Sequence, residues 1–254
     1  MVKRTAILIA LVLGLAVVAI GAEILLARRG DKLDTPDVKN LTRTSQSTAP
    51  DQPLRVLWLG DSTAAGVGAS GPDGAVSSQV AKRLEATTHS SYQTDVVAVS
   101  GARVKNLLQT QLPRVASFKP DIVVISVGAN DTIHLTSQDL FRKQYEQLIT
   151  GLKQANVEPR RIVMIGVPDL GATTRLLEPL RTITGVRGRK LDEIVKDISR
   201  RFGTQYVDIF TATSAAFRAN PAGLLAADNF HPSDAGYALW ADAITPAVAR
   251  AAAP

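Results

Sequence analysis

The sequence predicts an α/β fold: a doubly wound three-layer α/β/α sandwich of about five parallel strands, preceded by an N-terminal transmembrane or signal segment. Three observations carry this. From Leu54 onward, short β-branched apolar runs alternate with longer segments of helical periodicity. The runs are continuously apolar rather than alternating, as strands covered on both faces are. A separate apolar stretch, Thr5 to Ala27, stands ahead of them all.

That stretch, within residues 1–27, fits two kinds of segment. Lys3 and Arg4 precede an apolar run from Thr5 to Ala22, which Ile24–Ala27 extends past Glu23. As a helix it would be about 35 Å long, enough to cross a bilayer. The charged head, the apolar body and the small residues Ala19 and Gly21 before Ala22 also have the layout of a secretory signal, though the length favours the anchor. Arg28, Arg29 and Lys32 behind the run count towards a cytoplasmic C-terminal part, whereas the short basic head argues for export. The expectation is a membrane-anchored or secreted protein with an extracytoplasmic domain. Residues 28–53 come next as a flexible linker, because Asp31–Pro53 is rich in Thr, Ser, Asp and Pro without apolar periodicity.

Five strands are expected over Arg55–Leu59, Gln93–Val99, Asp121–Val127, Arg161–Val167 and Gln205–Phe210. Helices are expected over Ala75–Thr87, Val104–Val115, Ser137–Gln154, Leu191–Phe202 and Asp234–Ala249. Leu140, Phe141, Tyr145, Leu148 and Leu152 fall near one helical face. Parallel strands joined by helices require right-handed crossovers and helices on both faces of the sheet. The stretch Pro168–Arg189, with Gly171, Gly185, Gly188 and four arginines (Arg175, Arg181, Arg187, Arg189), reads as a loop overhanging the carboxyl edge of the sheet. There it would meet anionic groups or simply be mobile.

Composition narrows the chemistry. The 254 residues suffice for one domain with a full core, and the 45% apolar content is ordinary for a globular chain. No cysteine is present, which removes disulfides, thiolate zinc sites and a cysteine nucleophile. With three histidines, an all-protein metal centre is not expected, nor is any cofactor. The net charge of +6 comes from scattered basic residues, densest over Arg181–Arg201. That pattern suits a solvated basic face near an anionic membrane better than a nucleic-acid surface.

Four blocks converge on one site: Gly60-Asp61-Ser62, Gly101, Gly128-Ala129-Asn130-Asp131 and Asp228-Asn229-Phe230-His231-Pro232. The first three each follow a predicted strand, so a parallel sheet delivers them to its carboxyl edge, where such folds bind ligands. Ser62 is the candidate nucleophile and His231 the base that takes its proton. Asp228, three residues earlier, can hold the other ring nitrogen and fix the tautomer. Gly101 and the Ser62 N–H can offer backbone donors to an oxyanion, and Asn130 its side-chain amide. Singly, each block has a plainer explanation as a turn, a strand exit or a helix entry. Their convergence is what argues for chemistry. Asp61 is assigned to shaping the turn, and Asp131 to capping the segment after it. His134 and His89 are read as surface residues, and Tyr237 and Trp240 as packing residues.

These blocks resemble the SGNH hydrolases, also called the GDSL esterase/lipase family, and most closely their lysophospholipase- and thioesterase-like branch. The resemblance spans Leu54 to about Ala249, which marks residues 54–254 as the hydrolase domain. It implies a flavodoxin-like sandwich, in agreement with the strand–helix alternation. It also implies a catalytic triad of Ser62, Asp228 and His231, with an oxyanion hole from Ser62, Gly101 and Asn130. The first block reads Gly60-Asp61-Ser62-Thr63, so the name-giving leucine is replaced. The Gly-x-Ser-x-Gly elbow of α/β-hydrolases is absent, because Ala64 holds its last position.

The function expected is that of a serine hydrolase cleaving carboxylic esters, either lipid acyl or sugar O-acetyl esters, through an acyl-enzyme on Ser62. An O-acyltransferase would use the same residues with a different acceptor. A non-catalytic binding module on this fold would be expected to lack Ser62, Asn130 or His231, and all three are present. The expected partners are the ester substrate and, through the N-terminal segment, a membrane.

Overall fold

The computed structural model describes residues 33–44, 53–88 and 91–253, together with Gly14 and Gly21. The anchor or signal expected over residues 1–27 lies outside these, Gly14 and Gly21 apart, as does His89. Among the described residues, no helix is long and apolar enough to cross a membrane.

Six strands form one sheet: β1 (Arg43–Thr44), β2 (Leu54–Gly60), β3 (Tyr92–Val96), β4 (Ile122–Ser126), β5 (Ile162–Ile165) and β6 (Gln205–Val207). Their spatial order is β1-β3-β2-β4-β5-β6, with every pair parallel except β1 with β3. The five parallel strands thus follow the flavodoxin-like order, and the chain reverses its winding direction at β2 and β4. The longer helices are α1 (Val76–Thr88), α2 (Gln138–Gln154), α3 (Leu180–Phe202), α4 (Ile209–Ala219) and α5 (Asp234–Ala252).

Alternate strand residues feed two separate cores, which is why the runs are apolar throughout. Val56, Trp58, Ile122, Val124, Val163 and Ile165 face α1 and α5 in one cluster. Leu57, Leu59, Val123, Ile125, Ile162 and Met164 face α2 and α3 in the other. A charge at any of these positions would be buried whichever way it pointed. α2 starts where Ser137 caps it, its Oγ accepting from the Leu140 N–H at 3.3 Å. Phe141, Tyr145, Leu148 and Leu152 are buried as the periodicity predicts, but Leu140 is 46% exposed.

Three expectations need correction. The ordered domain begins before residue 54. Residues 38–44, expected within the linker, form a short 3-10 turn and β1; Leu41 is buried in the first core, and Arg43 pairs with Asp73 at 2.7 Å. The run Gln205–Phe210 is not one strand. Asp208 caps α4 by accepting from the Thr211 N–H at 2.9 Å, so β6 stops at Val207 and Ile209 and Phe210 enter the helix. The Pro168–Arg189 stretch is a loop only in its first part, since α3 begins at Leu180. Gly185 there is buried against Gly171; a Cβ on Gly185 would come within 3.1 Å of the Gly171 Cα.

Candidate active site

β2 ends at Gly60, wedged between the ends of β3 and β4. Gly60 pairs with Ser126 at the end of β4 and accepts at its carbonyl from the Val99 N–H at 3.1 Å. The backbones pass so closely that a Cβ on Gly60 would lie 2.2 Å from the Ser126 carbonyl oxygen. Only glycine fits. The loops after β3 and β4, carrying Gly101 and Asn130, are thereby tied beside the turn that carries Ser62.

That turn is held from within. The Asp61 N–H donates to the Ser126 carbonyl at 3.0 Å, and its Oδ1 accepts from the Thr63 N–H at 3.0 Å and hydroxyl at 2.8 Å. Thr63 Oγ1 also meets Ser126 Oγ at 2.8 Å. Burial pushes the Asp61 carboxyl up to about 6, against the opposing pull of those Thr63 hydrogen bonds. The turn-shaping role expected of Asp61 is what its contacts give.

Ser62 Oγ lies 2.9 Å from His231 Nε2, and His231 Nδ1 lies 2.6 Å from Asp228 Oδ2. The other Asp228 oxygen accepts from the backbone N–H groups of Phe230 and His231, each at 3.0 Å. Burial alone would raise the Asp228 carboxyl, but the hydrogen bonds from the His231 ring and backbone outweigh it and hold the carboxyl below its usual value. An ionised carboxylate can only accept, so the ring proton belongs on Nδ1. In the neutral imidazole Nε2 is then the acceptor, facing the serine hydroxyl.

The loop carrying these residues is pinned. Ala226 N–H donates to the His231 carbonyl at 2.8 Å, and Leu225 bridges Pro232. The Asn229 carbonyl accepts from Thr174 and Arg175 at 3.2 and 3.0 Å, and the Arg175 guanidinium stands 3.8 Å from Asp228 Oδ2. Ser233 then caps α5, accepting from the Gly236 N–H at 3.3 Å.

Gly101 has φ +80°, a conformation that favours glycine, and a Cβ there would meet no protein atom within 4 Å. Neither its N–H nor that of Ser62 donates to any described residue. Asn130 sits in the short helical turn Ala129–Ile133, its carbonyl engaged by the His134 N–H at 2.9 Å and His134 Nδ1 at 2.8 Å. His134 is exposed, as expected of a surface residue. Asp131 corrects its expected role: its Oδ2 accepts from the Val104 N–H at 3.1 Å and so caps the earlier helical stretch that starts at Val104.

A cavity opens beside Ser62 and His231, lined among others by Leu170, Ala172, Phe217, Leu225 and Trp240. Trp240 is thus a packing residue that also forms a wall, while Tyr237 is wholly buried and donates its hydroxyl to the Val67 carbonyl at 2.6 Å. Of the arginines expected to meet substrate, Arg181 pairs with Glu178 at 2.9 Å and Arg189 with Glu193 at 3.0 Å. Arg187 donates to the Thr132 carbonyl at 3.0 Å and to the Thr136 carbonyl. Arg187 thus braces the turn after β4, while Arg181 and Arg189 pair with carboxylates of their own segment. Among the described residues, the large apolar side chains that stay exposed (Val99, Ile133, Leu135, Leu140, Leu177, Ile183 and Val186) all come in the segments that follow β3, β4 or β5.

One contributor had no sequence signal. Gln111 is buried, and its amide bonds both the N–H and the carbonyl of Gly60, each at 2.8 Å.

Residues 58–239 match the model of the GDSL-like Lipase/Acylhydrolase family. A GDSL-like esterase of Mycobacterium tuberculosis is 28% identical over 190 residues, which cover 74% of this chain and 60% of that protein. The chain therefore spans about 60% of the length of that curated relative. Among solved structures, the lipase/acylhydrolase from Enterococcus faecalis superposes with a TM-score of 0.62 at 21% identity, over 76% of this chain and 94% of the other. The acetylxylan esterase Axe2 from Geobacillus stearothermophilus gives 0.59 at 22% identity, over 77% and 94%. At these identities the structures establish likeness of fold.

Proposed function

The chain belongs to the GDSL-like Lipase/Acylhydrolase family, and from that premise we propose that it is a serine esterase acting through an acyl-enzyme on Ser62. The observation that carries this is the unbroken line from Ser62 Oγ through the His231 ring to Asp228, at 2.9 and 2.6 Å. Ser62 Oγ attacks the ester carbonyl carbon as its proton passes to His231 Nε2. Asp228 stabilises the imidazolium that forms. Collapse of the tetrahedral intermediate breaks the ester C–O bond, and Nε2 returns its proton to the departing alcohol. Water then repeats the sequence on the acyl-serine and releases the carboxylic acid.

Negative charge on the carbonyl oxygen is met by the N–H groups of Ser62 and Gly101 and the Asn130 amide. Preorganised donors of this kind are each worth about 2.7–4 kcal/mol of barrier. The two N–H groups, uncommitted to described residues, support that assignment.

Within the family, the four blocks together support the lysophospholipase- and thioesterase-like branch, with acyl lipids or O-acetylated sugars as substrates. The apolar run Thr5–Ala27 supports a membrane-tethered or exported domain. The apolar side chains exposed in the segments after β3, β4 and β5 suit work close to a lipid surface.

The test is hydrolysis of p-nitrophenyl esters by the full chain beside Ser62→Ala. Loss of turnover in a variant with an unchanged circular dichroism spectrum supports the reading; equal turnover removes Ser62 from the mechanism.

A further inference from the structure

The cavity beside Ser62 and His231 is small, partly open and mostly apolar. Its volume is about 40 Å³. That is small beside the roughly 150 Å³ apolar cavity that takes up a benzene ring, so the space admits only a few carbon-sized groups. Ala172, Phe217, Leu225 and Trp240 supply its apolar wall, and each is at most 7% exposed. Asp169 reaches the lining too, but its carboxylate is spent: Oδ1 accepts from the Gly171 N–H at 2.9 Å, and Oδ2 from Arg218 at 2.7 and 3.0 Å. No unmatched charge faces whatever enters.

We propose that this cavity receives the acyl tail of the substrate and limits it to short chains, acetyl to about butyryl, with Phe217 and Ala172 setting the length. The inference rests on the acyl-enzyme reading of Ser62. Once the acyl carbon is bonded to Ser62 Oγ, its chain must leave the site on a side the oxyanion donors do not occupy. The apolar cavity opens there, whereas Gly101 and Asn130 do not line it. A space that small suits a tail of about one to three carbons beyond the carbonyl. Phe217 cannot easily swing aside, because α5 lies against its ring: a Cβ on Gly236 would come within 2.9 Å of Phe217 Cζ. Longer chains would have to displace a packed wall.

The experiment compares kcat/KM of the full chain for p-nitrophenyl acetate, butyrate, octanoate and laurate, in the wild type, Phe217→Ala and Ala172→Leu. Each methylene housed in an apolar pocket is worth about fourfold, so butyrate should equal or exceed acetate, and octanoate should fall at least tenfold below butyrate. Phe217→Ala should raise the octanoate-to-butyrate ratio at least tenfold. Ala172→Leu, which fills the space, should lower the butyrate-to-acetate ratio by a similar factor, and it keeps the test open if Phe217→Ala does not fold. A wild-type optimum at octanoate or laurate overturns the inference. So do active variants with unmoved ratios, and so does a Phe217→Ala effect that follows the alcohol when alkyl acetates are varied. A wild type with no ester turnover overturns the acyl-enzyme reading itself, and the inference with it.

Discussion

Gln111 and Gly60 clasp each other through two hydrogen bonds of 2.8 Å, the side-chain amide donating to the Gly60 carbonyl and accepting from its N–H. The pair is buried, and Ser62 lies two residues beyond it. The strand end that aims the candidate nucleophile is therefore fixed by a residue 51 positions away.

Gln111→Leu fills the same space but leaves the Gly60 N–H unmet in a dry environment, at about 1–3 kcal/mol, while the Gly60 carbonyl keeps only the Val99 N–H. Urea denaturation should register a loss in that range. The turn should also shift, so kcat should fall more than KM rises. An unchanged midpoint with unchanged kcat would remove the clasp from the account.

Asp228→Asn preserves shape but presents an amide to His231 Nδ1, which favours the wrong tautomer or ring orientation. A loss of kcat on the order of 10³–10⁴ is expected. A loss below tenfold would mean that Asp228 does not orient the base. Asn130→Ala should cost about 10²–10³ in kcat with little change in KM, because its amide is assigned to a charge that exists only in the transition state.

Asp61 gives a stability prediction with a definite sign. Burial raises its carboxyl from 3.8 to about 6 in the folded protein. The native state thus holds the proton more tightly than the unfolded chain does. Its contribution is fully present below pH 3.8 and is lost as pH rises through about 6. A shift of that size corresponds to about 3 kcal/mol. Asp61→Asn keeps an oxygen for the Thr63 N–H and hydroxyl and removes the ionisation. The variant should melt several degrees above the wild type at pH 7.5, with the gap closing towards pH 4. A gap that widens on acidification would show that the carboxylate, not the neutral acid, is the better fit.

The sheet was legible because the inner residues of β2, β4 and β5 are buried on both faces, which keeps those runs apolar. The four site blocks were legible because three of them sit at strand ends. α4 was hidden by the apolar Ile209-Phe210 pair, which extends the Gln205–Val207 run, although the Asp208 cap was there to be read. The first half of α3 was hidden by Gly185 and Gly188; close packing against Gly171 accounts for Gly185, while Gly188 stands over Pro168 and Val167 with room for a Cβ. β1 has two residues, too few for any periodic signal. The clasp of Gln111 joins positions far apart in sequence, where a lone glutamine reads as a solvated helix face.

The acyl-enzyme on Ser62 is tested most directly by treating the full chain with a fluorophosphonate and locating the adduct by mass spectrometry while p-nitrophenyl acetate hydrolysis is followed. One adduct is expected, on Ser62, formed in step with the loss of activity and absent from Ser62→Ala. Full activity after Ser62 is labelled, or inactivation by an adduct on another residue with Ser62 free, would contradict the acyl-enzyme.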